Sequence, residues 1–550
     1  MPAPVVGKRG GALTYRAPTA PTTFNYLIPS DDISLIVALY SLCGRLVEFD
    51  NATWQYRPGL AESWSRTGDG RTVDIVLRDG IKFSDGHPIT AEDVQFTLRA
   101  MYDDRVASPI FRPVMTIGGR QIEMQVVDPR RVRAVFPEVV ASPETYLSNL
   151  GVLPRHVLGA ALDHGTFREA YGLNAAPQTV VTSGPFSVES STPGAQVKLK
   201  RNPHYWKKDK VGTQLPYLDQ LVIDVVSDPN NTLIRLQQGS LDIYDRMRPT
   251  DYASLLSQPG AARAIDLGPG LQTDHFWFNL DEGRRDGKPV VNPIKVAWFR
   301  DARFRQAVSR AIDRKTLASS ALQGLATPLY GVISPANRDW VASDLPRVEY
   351  DLDRARALLK EAGFTARGPQ DRPELYDAKG NRVELTLIVP TESAARKQIA
   401  TLMQEFLAKL GINLQVAPIG FAEFTRRASQ SFEYDAALLG TYVSEPDPSS
   451  YANFLQVGSD TNPWHPNKEQ PLAPWETRIN ELLATQARET DPARRHAAFN
   501  EIQRILAEQL PLIPIVARHV IVGANQRVGN FRPTPMLPFS LWNAEELFIK

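Results

Sequence analysis

The hydrophobic rhythm changes several times along the chain, and the changes mark out its elements. "GGALTYRAP" predicts a first strand over Ala12–Arg16, and the apolar run through "IVALYSLCGRL" predicts a helix over Ile33–Leu42. A short strand follows at Arg45–Glu48. From about Phe49 the character shifts. "TVDIVLRDGIKF" alternates apolar and polar residues, as a half-buried strand does, and a helix is expected over Ala91–Met101. "QIEMQVVDPRRVRAVFP" then gives two strands around a tight Asp128-Pro129-Arg130 turn. The block from about Phe49 to Val181 reads as a compact α+β lobe.

Beyond it, "SGPFSVESSTPGAQVKLKRN" is a hairpin turning at Pro193-Gly194, "LDQLVIDVVSD" an apolar strand, and "PNNTLIRLQQG" a helix. Pro229 suits the first position of that helix and Gly239 its C-terminal cap. "DHFWFNL" (Asp274–Leu280) is a strand, and Asp301–Arg314 a helix with Phe304, Ala307, Val308 and Ala311 on one face. The C-terminal half holds a β-α-β unit. "VELTLIVP" is almost continuously apolar, as a strand covered on both faces is. The helix Ser393–Leu410 ends at Gly411, and "INLQVAPI" returns as a strand. "YDAALLG" is another strand, with long helices over Trp475–Ala487 and Asp491–Gln509. "LIPIV" and "HVIVGA" read as two further strands.

At 550 residues the chain exceeds what one core supports, and about two to four lobes are expected. Its 62 basic and 61 acidic residues leave a net charge of +1, so no general field draws it to nucleic acid or an anionic membrane. The single cysteine, Cys43, excludes an intrachain disulfide and a Cys-rich zinc site, and its apolar setting predicts a buried structural thiol. No apolar run reaches the ~20 residues of a membrane helix. "MPAPVVGKRGG" lacks the core of a signal peptide, so the chain is read as cytosolic or as an exported protein whose signal is not in this sequence.

Catalytic signals are sparse. The sequence has no Walker-type loop, no dinucleotide fingerprint, no G-x-S-x-G and no His-Glu-x-x-His, and its eight histidines are scattered. The densest polar cluster is "GIKFSDGHPITAEDVQFTLRAM" (Gly80–Met101). Each of its polar residues has a structural task. Thr90 and Asp93 suit a capping box, and Glu92 and Asp93 place negative charge in the first turn of a helix. Asp85-Gly86 makes a turn, and His87-Pro88 an extended approach. No catalytic residue, metal site or cofactor is expected. A hydrolase using paired carboxylates is the rival from another class, and the sequence offers no sign of such a pair.

The same cluster, extended to "LAESWSRTGDGRTVDIVLRDGIKFSDGHPITAEDVQFTLRAM", closely resembles the signature of the bacterial extracellular solute-binding proteins of family 5. These are oligopeptide-, dipeptide- and nickel-type receptors of ABC importers. "SGPFSV", "LKRNPHYWK", "IRLQQGSLDI", "FWFNL", "FRDARFRQAVSRAIDRKTL" and "YDLDRARALLKEAGF" agree in order, so the resemblance spans nearly the whole chain. It implies an α/β type II periplasmic-binding-protein fold: two α/β lobes with a ligand cleft, plus an extra α+β lobe. The first lobe is placed at 1–48, 182–270 and 520–550, the extra lobe at 49–181, and the second lobe at 271–519.

The resemblance also implies the function: capture of a small polar ligand, a peptide above all, for transport through membrane permease subunits. A monomer is expected, in the periplasm or on the outer face of the cytoplasmic membrane, without nucleic acid or cofactor. An oligosaccharide or a nickel chelate is the alternative ligand, the latter calling for His465 or His275 at the site. In the family's peptide receptors, a loop of the form Gly-Trp-x-x-Asp-x-x-(Asp/Glu)-Pro pairs a carboxylate with the ligand's α-amine. Here the loop reads Gly440-Thr441-Tyr442-Val443-Ser444-Glu445-Pro446-Asp447-Pro448. Ser444 stands where the amine-binding Asp is expected, so either Glu445 or Asp447 takes the role or the ligand is not a simple α-amino peptide. Asn25 and Tyr26, after the first strand, and Tyr442, Trp464 and His465 complete the expected ligand-binding set.

Overall fold

The computed structural model describes residues 3–29, 31–441, 443, 445–466 and 472–550, and the chain divides into two compact units. The first comprises Met1–Leu267 and Val520–Lys550, the second Gly268–His519.

In the first unit, Ala12–Ala17 lies parallel to Gln220–Val225 on one side and to Ile243–Asp245 on the other. The hairpin Phe186–Thr192/Gln196–Arg201 extends the sheet antiparallel to Gln220–Val225, and residues 522–524 close its other side against Ile243–Asp245. A separate four-stranded antiparallel sheet runs in the order Ala61–Arg66, Thr72–Leu77, Arg131–Val135, Glu123–Asp128. The helix Ala91–Tyr102 packs on it. Leu13, Phe83, Met101, Val132 and Leu547 belong to one continuous buried cluster, which joins this sheet to the rest of the first unit. The helix expected over Ile33–Leu42 is α-helical only over Asp32–Leu35. It then widens over Ile36–Ser41, where Leu42 N–H reaches Val37 O at 3.1 Å.

The cluster at Gly80–Met101 is scaffold. Asp93 Oδ2 accepts from the Thr90 N–H at 2.9 Å and from its hydroxyl at 3.1 Å, tying down the helix start. Asp85 Oδ1 accepts from His87 N–H at 3.0 Å around Gly86, whose φ of +90° suits glycine. Asp85 Oδ2 meets His156 Nε2 at 2.8 Å, and His87 stacks on His156 at 3.9 Å.

The segments "SGPFSV" and "RNPHYWK" are knitted together by the buried Asn202, which donates to Gly184 O at 2.8 Å and accepts from His204 N–H at 2.9 Å. Further along, Lys207 Nζ sits between Glu48 Oε2 at 2.6 Å and Glu545 Oε1 at 2.8 Å. Burial works to raise the Glu48 carboxyl, but Lys207, Arg57 and Arg45 outweigh it and hold it down at about 2. Cys43 is buried, and burial pushes its thiol up to about 12.

In the second unit, residues 273–278 pair antiparallel with Ala436–Thr441, which lies parallel to Glu384–Pro390, and that strand is parallel to Asn413–Ile419. The helix Ala394–Ala408 makes the crossover of this β-α-β unit. Helices Pro474–Arg488 and Pro492–Gln509 pack against each other. Two strands run from one unit into the other: Ala262–Phe278 and Leu512–Asn525. Both are longer than their sequence pattern suggests. "LIPIV" and "HVIVGA" are one 14-residue strand, in which the half-exposed Arg518-His519-Val520 break the apolar run.

Candidate functional site

The strand Ala436–Thr441 brings its C-terminal end to the loop that the sequence singles out. Thr441 and Thr273, opposite each other across the strand pair, share a hydroxyl hydrogen bond of 2.8 Å. Tyr442 and Ser444 lie outside the described residues. The rest of the loop is held firmly. Asp447 Oδ1 caps the following turn by accepting from Ser449 N–H at 2.9 Å, with Pro448 at the first position of that turn. Asn337 Nδ2 donates to Pro446 O at 2.8 Å.

Asp447 does not serve an amine. Its two oxygens take Nη1 and Nη2 of Arg495 at 2.8 and 2.7 Å, and the pair is buried. A carboxylate engaged in this fork has its charge compensated inside the protein, and giving up the fork to a ligand would strand a buried guanidinium. The expectation that Asp447 takes a ligand amine is therefore corrected to a structural one. Glu445, two residues earlier, is half-buried.

Asn25 and Tyr26 are likewise core residues of the first unit, both fully buried. Asn25 donates to Phe167 O at 3.3 Å and accepts from Leu27 N–H at 3.1 Å, which folds its own loop. Tyr26 donates to Gly151 O at 2.8 Å and packs edge-on to Phe111 at 5.1 Å. A loop after a strand commonly opens to solvent, but here hydrophobic burial draws both side chains inward.

Trp464 and His465 are fully buried in the second unit. Trp464 stacks with Trp475 at a centroid distance of 6.5 Å. His465 Nδ1 meets Glu476 Oε1 at 2.9 Å, and Glu476 Oε2 accepts from Ala473 N–H at 2.8 Å. Burial acts to raise the Glu476 carboxyl. The His465 bond and charge, the Ala473 N–H and Arg300 outweigh it and hold the group below its usual range. His275 is fully buried too, and burial brings its imidazole down to about 4 against the pull of Asp274, so it is neutral at pH 7. Among the described residues, no group of three His, Cys, Asp or Glu is placed to hold a metal ion.

What the loop does border is a cavity of about 250 Å³. Trp277, Phe424, Leu439, Val443, Tyr451 and Phe454 supply its apolar walls, and Thr441, Ser450 and Asn462 its polar points. Among the described residues, no charged side chain lines it. Trp277 is fixed by its indole N–H on the Tyr434 hydroxyl at 3.3 Å, and Tyr434 donates in turn to Pro463 O at 2.6 Å. Such a space takes an uncharged group of moderate size and offers it hydroxyl and amide partners.

The second charged arrangement at this end of the strand was not evident from the sequence. Asp274, opposite Gly440, is fully buried and lies between two arginines: Arg396 Nε at 2.7 Å from Oδ1 and Arg518 Nε at 2.5 Å from Oδ2. Burial works to raise the Asp274 carboxyl, but the two guanidiniums outweigh it and keep it ionised. The signal that could have found it was an aspartate opening the apolar strand "DHFWFNL". A buried carboxylate there demands a basic partner.

Residues 55–463 match the bacterial extracellular solute-binding proteins, family 5 Middle. The chain belongs to this family. A probable ABC transporter-binding protein of Deinococcus radiodurans is 29% identical over 549 residues, covering 96% of this chain and 90% of that protein. Di/tripeptide-binding protein 3 of Pseudomonas aeruginosa is 26% identical, covering 90% of this chain and 87% of its own length. In structure, the chain is similar to the oligopeptide-binding protein AppA of Bacillus subtilis, solved in complex with a nonapeptide. The TM-score is 0.73 at 22% identity, over 99% of this chain and all (100%) of that one. The fold of this family 5 member is thus the α/β type II periplasmic-binding-protein fold that its signature implies. The loop from Gly440 onward and the cavity beside it fall inside the matched segment.

Proposed function

We propose that this family 5 protein is the ligand-capturing receptor of an ABC importer and that its ligand is a peptide. It acts outside the cytoplasmic membrane, as a monomer, and hands its ligand unchanged to membrane permease subunits. The observation that carries the peptide reading is the cavity beside the 440–451 loop. Its aromatic and aliphatic walls interspersed with hydroxyl and amide groups suit an apolar or neutral side chain, while backbone groups of an extended ligand find partners at the strand end. The peptide-binding names of several relatives support the same reading. With Asp447 locked to Arg495, Glu445 is the carboxylate of this loop that we assign to the ligand's α-amine.

Native mass spectrometry of the purified protein tests this reading. The expected result is a set of bound masses that, once released and sequenced, are short peptides of varied composition, recovered intact after prolonged incubation. Recovery of an oligosaccharide, a metal chelate or hydrolysed products would overturn it.

A further inference from the structure

Around residues 4–11, the first unit presents exposed apolar tips beside unpaired cations. Val5, Val6 and Val211 are 58%, 41% and 65% exposed. A single valine in water is ordinary, but these three gather on one face. Pro4, Val5 and Val6 share a surface cavity of about 210 Å³ with Lys208 and Lys210, and Val211 follows directly in the chain.

Both segments are braced so that the tips protrude. Val5 exchanges two hydrogen bonds with Asn530: its N–H donates to Oδ1 at 3.0 Å, and its carbonyl accepts from Nδ2 at 2.9 Å. At Gly7 an added Cβ would come 2.6 Å from the Tyr217 ring and 2.9 Å from Phe548, so glycine lets the chain lie against both rings. Gly10 N–H then donates to Tyr217 O at 2.8 Å. Residues 208–214 form a tight turn closed by the Lys208–Gln214 bridge, with Val211 and Gly212 (φ +90°) at its tip. Asp209 ties this turn together. Its Oδ1 accepts from Val211 N–H at 2.9 Å and Thr213 N–H at 2.8 Å, and its Oδ2 from the Tyr217 hydroxyl at 2.7 Å.

The free charges around the tips have one sign. Lys8, Arg9, Lys208 and Lys210 are exposed, and among the described residues none of them has an acidic partner. The two acids that border the cavity are engaged within the fold: Asp209 by the turn, and Glu546 by Arg532 at 3.5 Å and Asn543 at 3.3 Å. The whole chain carries only +1, so the positive field belongs to this face rather than to the protein at large.

We propose that this face of the first unit is a membrane-contact surface that rests on anionic phospholipid headgroups. Val5, Val6 and Val211 enter the headgroup layer, and the four cations meet the phosphates. Protruding apolar side chains ringed by cations suit a fluid, diffusely charged sheet. A second copy of the chain would set like charge against like. A protein partner is commonly gripped by aromatic anchors or by arginine forks, whereas three of these four cations are lysines, point charges on flexible stems. The surface does not depend on the peptide reading, since the cavity beside the 440–451 loop is lined by residues of the second unit alone.

Cosedimentation of the full chain with lipid vesicles tests it, using phosphatidylcholine alone and phosphatidylcholine mixed with phosphatidylglycerol. The protein is expected to pellet with the mixed vesicles at low ionic strength and not with the neutral ones. It should be released at about 1 M salt, where the screening length falls to ~3 Å. Lys208→Gln and Lys210→Gln should each weaken binding by about fivefold. Val211→Ser should weaken it several-fold and leave the salt dependence unchanged. Melting temperatures equal to that of the wild type report that the variants are folded. Failure to pellet with the mixed vesicles, or equal pelleting by the wild type and a folded variant lacking both lysines, overturns the proposal. Association with native membranes but not with protein-free vesicles of the same lipids overturns it too, and assigns the face to a membrane protein.

Discussion

Arg495 grips Asp447 with both Nη groups, at 2.8 and 2.7 Å, across 48 residues of sequence. This one fork fixes the loop after the strand Ala436–Thr441 to the helix Pro492–Gln509, and it takes the aspartate out of ligand recognition. Asp447→Ala is therefore expected to lower folding stability by about 3–5 kcal/mol, the range for breaking a buried pair from one side. Arg495→Ala should cost a similar amount, and the double variant less than the sum. Urea denaturation of the three variants measures it. A stable Asp447→Ala protein that binds peptide weakly would return the residue to the ligand.

For Glu445 the expectation concerns binding. Glu445→Gln should weaken binding of peptides with a free α-amine by about 2–3 kcal/mol. N-acetylated versions of the same peptides should bind both proteins alike. Calorimetric titration of the paired ligands decides it, and equal losses for acetylated and free peptides would rule out an amine contact.

The contrast between these two carboxylates shows where sequence reading stops. Their position in a motif is legible, because turn and strand patterns locate the loop, but the partner that claims a charge is not. Arg495 reads as one more residue on a helix, and only the fold brings it to Asp447. Asn25 and Tyr26 show a related limit: burial of the loop that follows the strand Ala12–Ala17 turns them inward, to Phe167 and Gly151. Elements whose cause is local fared better. The capping interaction of Thr90 with Asp93, the Pro229 helix start and the parallel Glu384–Pro390/Asn413–Ile419 pair all follow from short-range chemistry or an unbroken apolar run. The two strands that pass between the units were shortened or split because their exposure changes midway. At Arg518-His519 the pattern resembles a turn although the backbone stays extended.

The Lys207 cluster gives stability a defined acid limb. Glu48 is held at about 2 in the folded protein, against 4.5 for a free glutamate. A depressed carboxyl contributes stability that is complete above about pH 4.5 and disappears as pH falls towards the folded value. The expected contribution is about 3 kcal/mol near neutrality. Glu48→Gln should thus be less stable than the wild type at pH 6, and the gap should narrow steadily below pH 4. Urea midpoints at pH 6, 4 and 3 measure it, and a gap independent of pH would show that packing rather than charge sets the effect.

Cys43 should ignore thiol reagents in the native state. Burial excludes the reagent, and a thiol pushed up to about 12 is almost entirely protonated at pH 8. Labelling with a disulfide reagent is expected only after denaturant exposes the core, at one equivalent per chain. Rapid labelling of folded protein would mean that the helix through Ile36–Ser41 opens readily.

Two glycines should respond to the same substitution in different ways. At Gly184 an added Cβ would meet backbone: Leu42 C at 2.6 Å, and Cys43 N and Leu42 O at 2.8 Å. None of these atoms can move without shifting the chain, so Gly184→Ala should cost about 3 kcal/mol, at the upper end for overpacking, or prevent folding. At Gly440 the nearest atom is Arg396 Nη2, the far end of a flexible side chain, with Asp274 Oδ1 next at 3.0 Å. The guanidinium can swing aside, so Gly440→Ala should remain folded, within about 1 kcal/mol of the wild type. Urea midpoints of the two variants measure the contrast, and an equal loss in both would show that the Arg396 guanidinium cannot move aside.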